Sequence, residues 1–270
     1  MPVDKSIALI NGYNIHISRI LRGAKKTIAM VNGAMSTTAS FHWAISNLRS
    51  YNLILFDYPC TGLSKDYNPG CNFPSRDVEA GILSEICGIY RPEYLCSMSW
   101  GGASSLISLA EEKNQIEKAV IAAFSFGLTE EMRKIIQTLY LFIEENEMKK
   151  FAHFVNDTLG KYLPSRVKEK NYLYLSELSD SEIIYLKKHF DNALAINEMD
   201  YVGMLEAIRA EVLFINGSLD LYTSPESISD TLIHIPCSKS VNIDCGHFMA
   251  MEDKKTAQLI SDTLHSFFPE

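Results

Sequence analysis

Ser99 lies in a segment of small residues whose pattern suits a nucleophile. The segment spans residues 97–102 (SMSWGG) and includes the end of a short run rich in β-formers. A sharp turn from a strand into a helix exposes a serine hydroxyl at the helix N-terminus, and small flanking residues let neighbouring chains pass close by. The residue two before the serine is Ser97, where glycine is more usual. Ser99 is thus the candidate for nucleophilic attack on a carbonyl carbon. The alternative is a turn rich in Ser and Gly without chemistry.

His247 is the candidate base that the weakly nucleophilic serine hydroxyl requires. It lies on a loop after the last predicted strand, in the segment Val241–Phe248, from which it can reach across the sheet edge toward Ser99. The remaining histidines fall on an early strand, before the nucleophile, in helical patterns or near a helix end. Each of them is more typical of a surface or a core: His16, His42, His153, His189, His234 and His265.

Asp220 is the candidate acid, which would select the tautomer of the histidine and stabilise the imidazolium. It is the only carboxylate directly after the penultimate strand, and it completes the chain order Ser, Asp, His that accompanies an elbow of this kind. No acid follows the strand that ends near Ala123. Asp57 also ends a strand but precedes the serine, and we interpret it as structural. The alternative is that Asp220 only caps the helix after Thr223.

Backbone N–H groups beside the serine would have to bind the oxyanion of a tetrahedral intermediate. Trp100 follows the nucleophile, and Ala34, with Met35 as the alternative, lies in the turn after an early strand. For contact with the substrate we select Met35, Leu219 and Phe248, which adjoin these candidates along the chain. No step of this chemistry needs a metal or a redox cofactor.

The candidate residues fall at the ends of strands that alternate with helices, which predicts a mostly parallel sheet covered on both faces. Eight strands are predicted, at Ser6–Ile10, Asn14–Ser18, Thr27–Val31, Leu53–Phe56, Tyr94–Met98, Lys118–Ala123, Glu211–Asn216 and Lys239–Ile243. Helical spacing lies between or after them, at Arg76–Tyr90, Gly102–Glu112, Pro225–Ile233 and Lys254–Phe267.

A long central stretch interrupts this alternation, because its pattern is almost wholly helical. Helices are predicted near Glu130–Glu145, Met148–Leu159 and Ser181–Ala195. We therefore expect a core formed by residues 1–124 and 209–270, with residues 125–208 inserted as a helical cap, or lid, over the catalytic edge. The apolar run Ile135–Phe142 would enclose a substrate chain, or would only pack the cap on itself.

Length and composition exclude several classes of protein. A chain of 270 residues lies near the upper size of one hydrophobic core, and 47% apolar with 21% charged residues is typical of a globular protein. The formal charge of −8 argues against nucleic-acid binding, which needs clustered Lys and Arg. No apolar run is long enough to span a membrane. The six cysteines lack a CxxC spacing, so we expect free thiols, no zinc site and a cytoplasmic location.

Together these segments resemble the α/β-hydrolase superfamily over nearly the whole chain. Residues 31–41 (VNGAMSTTASF) are similar to a signature of two related acyltransferase families. One makes 3-(3-hydroxyalkanoyloxy)alkanoate, the lipid half of rhamnolipids, and the other moves or releases 3-hydroxyacyl groups from acyl carrier protein. Further similarity lies in Ser97–Gly102, in Leu159–Pro164, and in Phe214–Ser218 continued by Asp220–Thr223. The sequence departs from those families close to the candidate site, at Leu219, Leu221 and Cys245.

The resemblance implies an α/β-hydrolase fold and a serine enzyme that transfers or hydrolyses an acyl group, in particular a 3-hydroxyacyl group, held as a thioester or ester. It also implies a carrier-protein or coenzyme A thioester as donor. A plain carboxylesterase or thioesterase would carry the same residues, because transfer depends on how dry the closed site is. A non-catalytic ligand-binding protein is the alternative from another class. The basic residues Lys161, Arg166, Lys168 and Lys170 would suit an acidic carrier, although such a run is usually a solvated face.

Overall fold

Eight strands form one continuous sheet in the computed structural model, which describes residues 3–70, 72–195, 202–223 and 225–270. The strands are β1 (Val3–Ile10), β2 (Tyr13–Ile20), β3 (Thr27–Val31), β4 (Asn52–Asp57), β5 (Tyr94–Met98), β6 (Lys118–Ala122), β7 (Glu211–Gly217) and β8 (Ser238–Ile243). All eight predicted strands are present. The first two extend beyond their predicted bounds because they pair as an antiparallel hairpin, whose turn at Asn11 and Gly12 has positive φ at both residues.

The strand order, β1-β2-β4-β3-β5-β6-β7-β8, brings the carboxyl ends of seven strands, all except β2, to one edge. Strand β2 is antiparallel to both of its neighbours, while β3 to β8 are parallel to one another. In open sheets of this kind, ligands bind in the crevice outside the carboxyl ends of the strands. The loops after β3, β5, β7 and β8 therefore meet where the candidate residues are needed.

Helices cover both faces of the sheet, as predicted. On one face lie α2 (Arg76–Tyr90) and α3 (Gly101–Leu109), and on the other lie α1 (His42–Asn47) and α10 (Lys254–Phe267). A short helix, α9 (Ser229–Leu232), precedes β8. The bounds of α2 and α10 match the predicted ones because each begins after a residue whose side chain accepts a first-turn N–H: Ser75 for α2 and Asp253 for α10.

Among the described residues between β6 and β7 there are five helices: α4 (Glu130–Glu144), α5 (Met148–Asp157), α6 (Ser165–Ser176), α7 (Asp180–Leu194) and α8 (Val202–Leu205). Three of them, α4, α5 and α7, match the predicted helices. Apolar periodicity does not predict α6, because Leu175 is the single fully buried residue among its twelve. The helices pack on one another through an apolar cluster that includes Phe151, Val155 and Phe190. The division into a core and a separate cap stays a prediction.

The turn from β5 into α3 is tight, since only two residues separate the two elements. Ser99 takes a φ of +50°, which costs a non-glycine residue conformational energy, and its N–H donates to the carbonyl of Ala122 at 2.8 Å. A Cβ on Gly101 would lie 2.4 Å from the carbonyl oxygen of Asn32. The glycine after the serine and Trp100 is therefore required by the close approach of a neighbouring backbone.

Replacement of Gly101 by Ala is expected to lower the free energy of unfolding by about 1–3 kcal/mol, because the new methyl group must displace a backbone carbonyl. Gly88 is the matched control, since it is exposed on α2 and no atom lies within 4 Å of the position of its missing Cβ. Gly88→Ala is expected to raise the free energy of unfolding by up to about 1 kcal/mol, because alanine is the better helix former. Urea unfolding measures both changes, and equal stability of the two variants would contradict the tight turn.

Candidate active site

Asp220 and His247 form a buried, hydrogen-bonded pair at the carboxyl edge of the sheet. Oδ2 of Asp220 lies 2.8 Å from Nδ1 of His247, and the two side chains are 0% and 8% exposed. The contact places the proton of the neutral imidazole on Nδ1 and leaves Nε2 to accept another. Burial opposes ionisation of Asp220, but the charge of His247 and hydrogen bonds from His247, Thr223 and the Tyr222 amide outweigh it. Together they lower the pKa of Asp220 to about 2.

The two carboxylate oxygens of Asp220 have different partners. Oδ1 accepts the backbone N–H of Tyr222 at 2.9 Å and that of Thr223 at 3.3 Å, which holds the loop after β7. Oδ2 accepts hydrogen bonds from Nδ1 of His247 and from the Thr223 hydroxyl. One side chain therefore both holds the loop after β7 and pairs with the candidate base.

The pair forms because the loops after β7 and β8 are hydrogen-bonded to each other. The N–H of Ser218 donates to the carbonyl of Ile243 at 2.8 Å, and that of Leu219 donates to the carbonyl of Cys245 at 3.0 Å. Gly217 permits this approach, since a Cβ there would lie 2.3 Å from the carbonyl oxygen of Cys245. The end of β7 is thus held against the loop that carries the histidine.

Glu252 holds the backbone on both sides of His247. Its carboxylate accepts the N–H of Gly246 at 2.8 Å and the N–H of Phe248 at 3.1 Å. Burial raises the pKa of the Glu252 carboxyl, and these hydrogen bonds act in the opposite direction. Sequence reasoning missed Glu252. The available signal was a carboxylate a few residues after a loop histidine.

Ser99 and His247 line one cavity of about 170 Å³. Its wall is mostly apolar, and the helices between β6 and β7 supply much of it: Leu128, just before α4, then Met132, Ile135, Ile136, Leu139 and Phe190. Ile135, Ile136 and Leu139 also belong to the apolar cluster that joins these helices. The central run of α4 therefore packs against its neighbouring helices and also lines the cavity.

Trp100 and Ala34, the proposed oxyanion donors, line the same cavity beside Ser99. In the parts of the chain that the structure describes, neither backbone N–H is paired with an acceptor. The loop that carries Ala34 is held in place by Asp57, whose carboxylate accepts the N–H of Thr38 at 2.7 Å. The arrangement leaves two unpaired donors near the serine, as binding of an oxyanion requires.

Met35 and Phe248, two of the three residues selected for substrate contact, line the cavity. Leu219, the third, is not among the lining residues and is 42% exposed. Its neighbour Asp220 is turned inward to meet the histidine, so within this short turn the leucine faces solvent. Leu221, on the other side of Asp220, is 65% exposed for the same reason.

A second buried carboxylate, Glu79, lies next to the site. It accepts a hydrogen bond from Nε1 of Trp100 at 2.9 Å, one from Nε2 of His189 at 2.7 Å, and one from the Tyr185 hydroxyl. Glu79 belongs to α2, whereas His189 and Tyr185 belong to α7. Sequence reasoning missed Glu79 and assigned His189 to a surface or a core, because no local pattern connects helices so far apart in the chain.

The described ranges hold no cluster of metal ligands and no membrane-spanning helix. No three His, Cys, Asp or Glu side chains among those residues are grouped so that they could hold a metal ion. Within the same residues, no helix combines the length and the apolar character that crossing a bilayer requires. Cys87, Cys96 and Cys245 are buried free thiols, and Cys237 is an exposed free thiol.

Comparison with known proteins places this chain in a family. An (R)-3-hydroxydecanoyl-ACP:CoA transacylase of Pseudomonas putida is 35% identical over 249 residues, which cover 90% of this chain and 83% of that protein. The chain belongs to this transacylase family. The transacylase of the same description from Pseudomonas aeruginosa is 33% identical, over 99% of this chain and 90% of its own length. No family model matches the chain.

The fold of this member of the transacylase family is the α/β-hydrolase fold. An alpha/beta hydrolase enzyme from a Medee basin deep-sea metagenome library superposes with a TM-score of 0.79 over 98% of each chain, at 16% identity. The strand order and the single antiparallel strand β2 agree with the resemblance drawn from the sequence. The superposition confirms the prediction of an α/β-hydrolase fold, and the transacylase relatives confirm the prediction of an enzyme.

Replacement of Asp220 by Asn is expected to lower kcat by about 10³–10⁴-fold while the protein stays folded. The amide carries no charge to stabilise the imidazolium, and it does not enforce the tautomer with a free Nε2. Turnover of an acyl thioester measures the loss, and the melting temperature checks the fold.

Asp244→Asn is the matched control for this substitution. Asp244 is an exposed carboxylate in the loop after β8, where it accepts a hydrogen bond from the Ser218 hydroxyl at 3.1 Å. Its kcat should stay within about twofold of the parent, as expected for a surface substitution. Similar kcat values for the two variants would mean that Asp220 does not support the base.

Proposed function

We propose that this protein transfers a 3-hydroxyacyl group between acyl carrier protein and coenzyme A through an acyl-enzyme on Ser99. The observation that carries the proposal is the buried pair of Asp220 and His247, because its histidine shares a cavity with a serine held in a strained turn. The relatives of the family are named for transfer of a 3-hydroxydecanoyl group between these two carriers. The mostly apolar wall of the cavity suits an alkyl chain.

In the first half-reaction, the Ser99 hydroxyl attacks the thioester carbonyl carbon while Nε2 of His247 takes its proton. The N–H groups of Trp100 and Ala34 bind the negative charge that develops on the carbonyl oxygen. Collapse of the tetrahedral intermediate breaks the carbon–sulfur bond, and His247 returns the proton to the departing thiolate. Asp220 remains ionised throughout and stabilises the imidazolium.

In the second half-reaction, an acceptor gives its proton to His247 and attacks the ester carbonyl carbon of acyl-Ser99. The thiol of coenzyme A is the proposed acceptor. Water would give a free acid, and the hydroxyl of a second hydroxyacyl group would give a dimeric ester. The apolar side chains of α4 favour transfer over hydrolysis, because they reduce the access of water to the acyl-enzyme.

Intact-protein mass spectrometry after mixing with (R)-3-hydroxydecanoyl-CoA tests the acyl-enzyme. We expect an added mass of one 3-hydroxydecanoyl group on the parent protein and none on Ser99→Ala, which lacks the attacking hydroxyl. The melting temperature of the variant shows whether it is folded. An unlabelled parent, or equal labelling of both proteins, would remove Ser99 as the nucleophile.

Product analysis with added acyl carrier protein then identifies the acceptor. Formation of the hydroxyacyl carrier protein with release of coenzyme A is the expected result. Free 3-hydroxydecanoic acid as the main product would instead assign a thioesterase. A dimeric hydroxyacid ester would assign the second acyl chain as acceptor.

The carrier protein is proposed to dock beside residues 161–170, which hold four basic residues and one acidic residue in a chain of formal charge −8. This segment adjoins the site because a Cβ on Gly246, next to His247, would lie 2.5 Å from the ring of Tyr162. Lys170 is exposed and Lys168 is half-buried. This local excess of positive charge, in a chain that is negative as a whole, is complementary to an acidic carrier protein and would steer its approach.

The double substitution Lys168→Glu/Lys170→Glu is expected to lower kcat/KM for the acyl carrier protein substrate by about tenfold at low salt, and less at high salt. Turnover of a small acyl thioester without a carrier should change much less. The control Lys25→Glu/Lys113→Glu changes the net charge equally, at two exposed lysines that lie beside the opposite edge of the sheet. Equal losses in the two double variants would contradict a docking role for the 161–170 segment.

A further inference from the structure

His189 is held in one orientation at the wall of the cavity. Its Nε2 donates to Glu79 at 2.7 Å, and its ring stacks on the indole of Trp100 with 4.5 Å between ring centroids. Tyr185, one helical turn earlier on α7, also contacts the imidazole, with 4.3 Å between ring centroids. The imidazole is 7% exposed and lines the cavity that contains Ser99.

The remaining ring nitrogen of His189, Nδ1, is available to a ligand. Among the described residues it has no hydrogen-bond partner, and unlike the unpaired Nδ1 of His16 it is not sealed from solvent. Because the Glu79 carboxylate only accepts hydrogen bonds when ionised, the neutral ring carries its proton on Nε2. Nδ1 of the neutral ring is then an acceptor on a residue that lines the cavity, and the stacked indole and Glu79 hold that ring in place.

Apart from the proposed nucleophile, the described hydroxyl-bearing side chains that line this cavity are already bonded to protein partners. The Ser36 and Ser40 hydroxyls are bonded to each other at 2.5 Å, and the hydroxyl of Ser125 donates to the carbonyl of Gly127. Thr223 is bonded to Asp220. Arg76 also lines the cavity, but a guanidinium has donors only and favours planar anions over a single hydroxyl.

We propose that His189 is the residue that recognises the 3-hydroxyl group of the acyl chain, by accepting a hydrogen bond from it at Nδ1. The inference rests on the proposed function and specifies its substrate. The indole under His189 belongs to Trp100, whose N–H is proposed to bind the oxyanion. The hydroxyl-bearing carbon is two bonds from the carbonyl carbon, so the hydroxyl lies within a few ångströms of that N–H. Glu79 is then a positioning residue, since it holds the ring of His189 and the side chain of Trp100.

The experiment compares kcat/KM for (R)-3-hydroxydecanoyl-CoA with kcat/KM for decanoyl-CoA in the same preparations. The parent should prefer the hydroxylated substrate, because a site built to bond a hydroxyl disfavours an analogue that lacks it. In His189→Phe this preference should fall about tenfold, the size of one lost hydrogen bond. The ratio is insensitive to the folded fraction of a preparation, since that fraction affects both substrates equally.

Two further variants separate recognition from packing. His189→Gln offers an amide oxygen as acceptor and should recover part of the preference that the phenylalanine variant loses. Phe190→Leu changes the next residue of α7, which also lines the cavity, without removing a polar group. It should lower kcat/KM for both substrates to a similar extent and leave the ratio within about twofold of the parent.

An unchanged ratio in His189→Phe would overturn the assignment, as would a parent enzyme that forms the acyl-enzyme with both substrates but prefers neither. In both cases the labelling of Ser99 still stands, so the proposed function survives. A parent enzyme that forms no adduct with either thioester would overturn the proposed function and this assignment together.

Discussion

The hydrogen bond between Asp220 and His247 is the contact on which the candidate site depends. It needs two loops that leave neighbouring parallel strands and then lie against each other. Gly217 makes that approach possible, because a side chain there would collide with a backbone carbonyl. Glu252 completes the arrangement by binding the amides on both sides of the histidine. The position of the base is thus set by backbone contacts more than by its own side chain.

The pKa values of Asp220 and Glu252 are shifted in opposite directions, although both carboxylates are buried. Asp220 gathers donors from a histidine, a hydroxyl and the backbone, and its pKa falls to about 2 despite the cost of burial. Glu252 binds backbone amides, yet its pKa is raised because burial dominates. Glu79 is fully buried and accepts three hydrogen bonds from side chains. A buried acid is tolerated at each place because local donors replace water.

Hydrogen bonds connect the turn that carries Ser99 to helix α7, which forms part of the cavity wall. Glu79 joins Trp100, next to the candidate nucleophile, to Tyr185 and His189 on α7. The same helix lines the cavity through Phe190. A shift of α7 would therefore alter both the wall against the acyl chain and the side chain beside the proposed oxyanion site. This connection explains why a polar cluster is kept inside an otherwise apolar region.

The sequence by itself determined the alternation of strands and helices and the candidates Ser99, Asp220 and His247, because each follows a strand whose pattern is local. It also carried the resemblance to a family of 3-hydroxyacyl transferases. Only the tertiary structure decided that Asp220 meets His247 and that Glu79 meets His189, 110 positions away. Contacts of this kind depend on how strands are ordered and how helices cross the sheet. The spacing of residues along the chain does not indicate such contacts. The helix α6 went unpredicted for a related reason, because it has one fully buried residue and so shows no apolar periodicity.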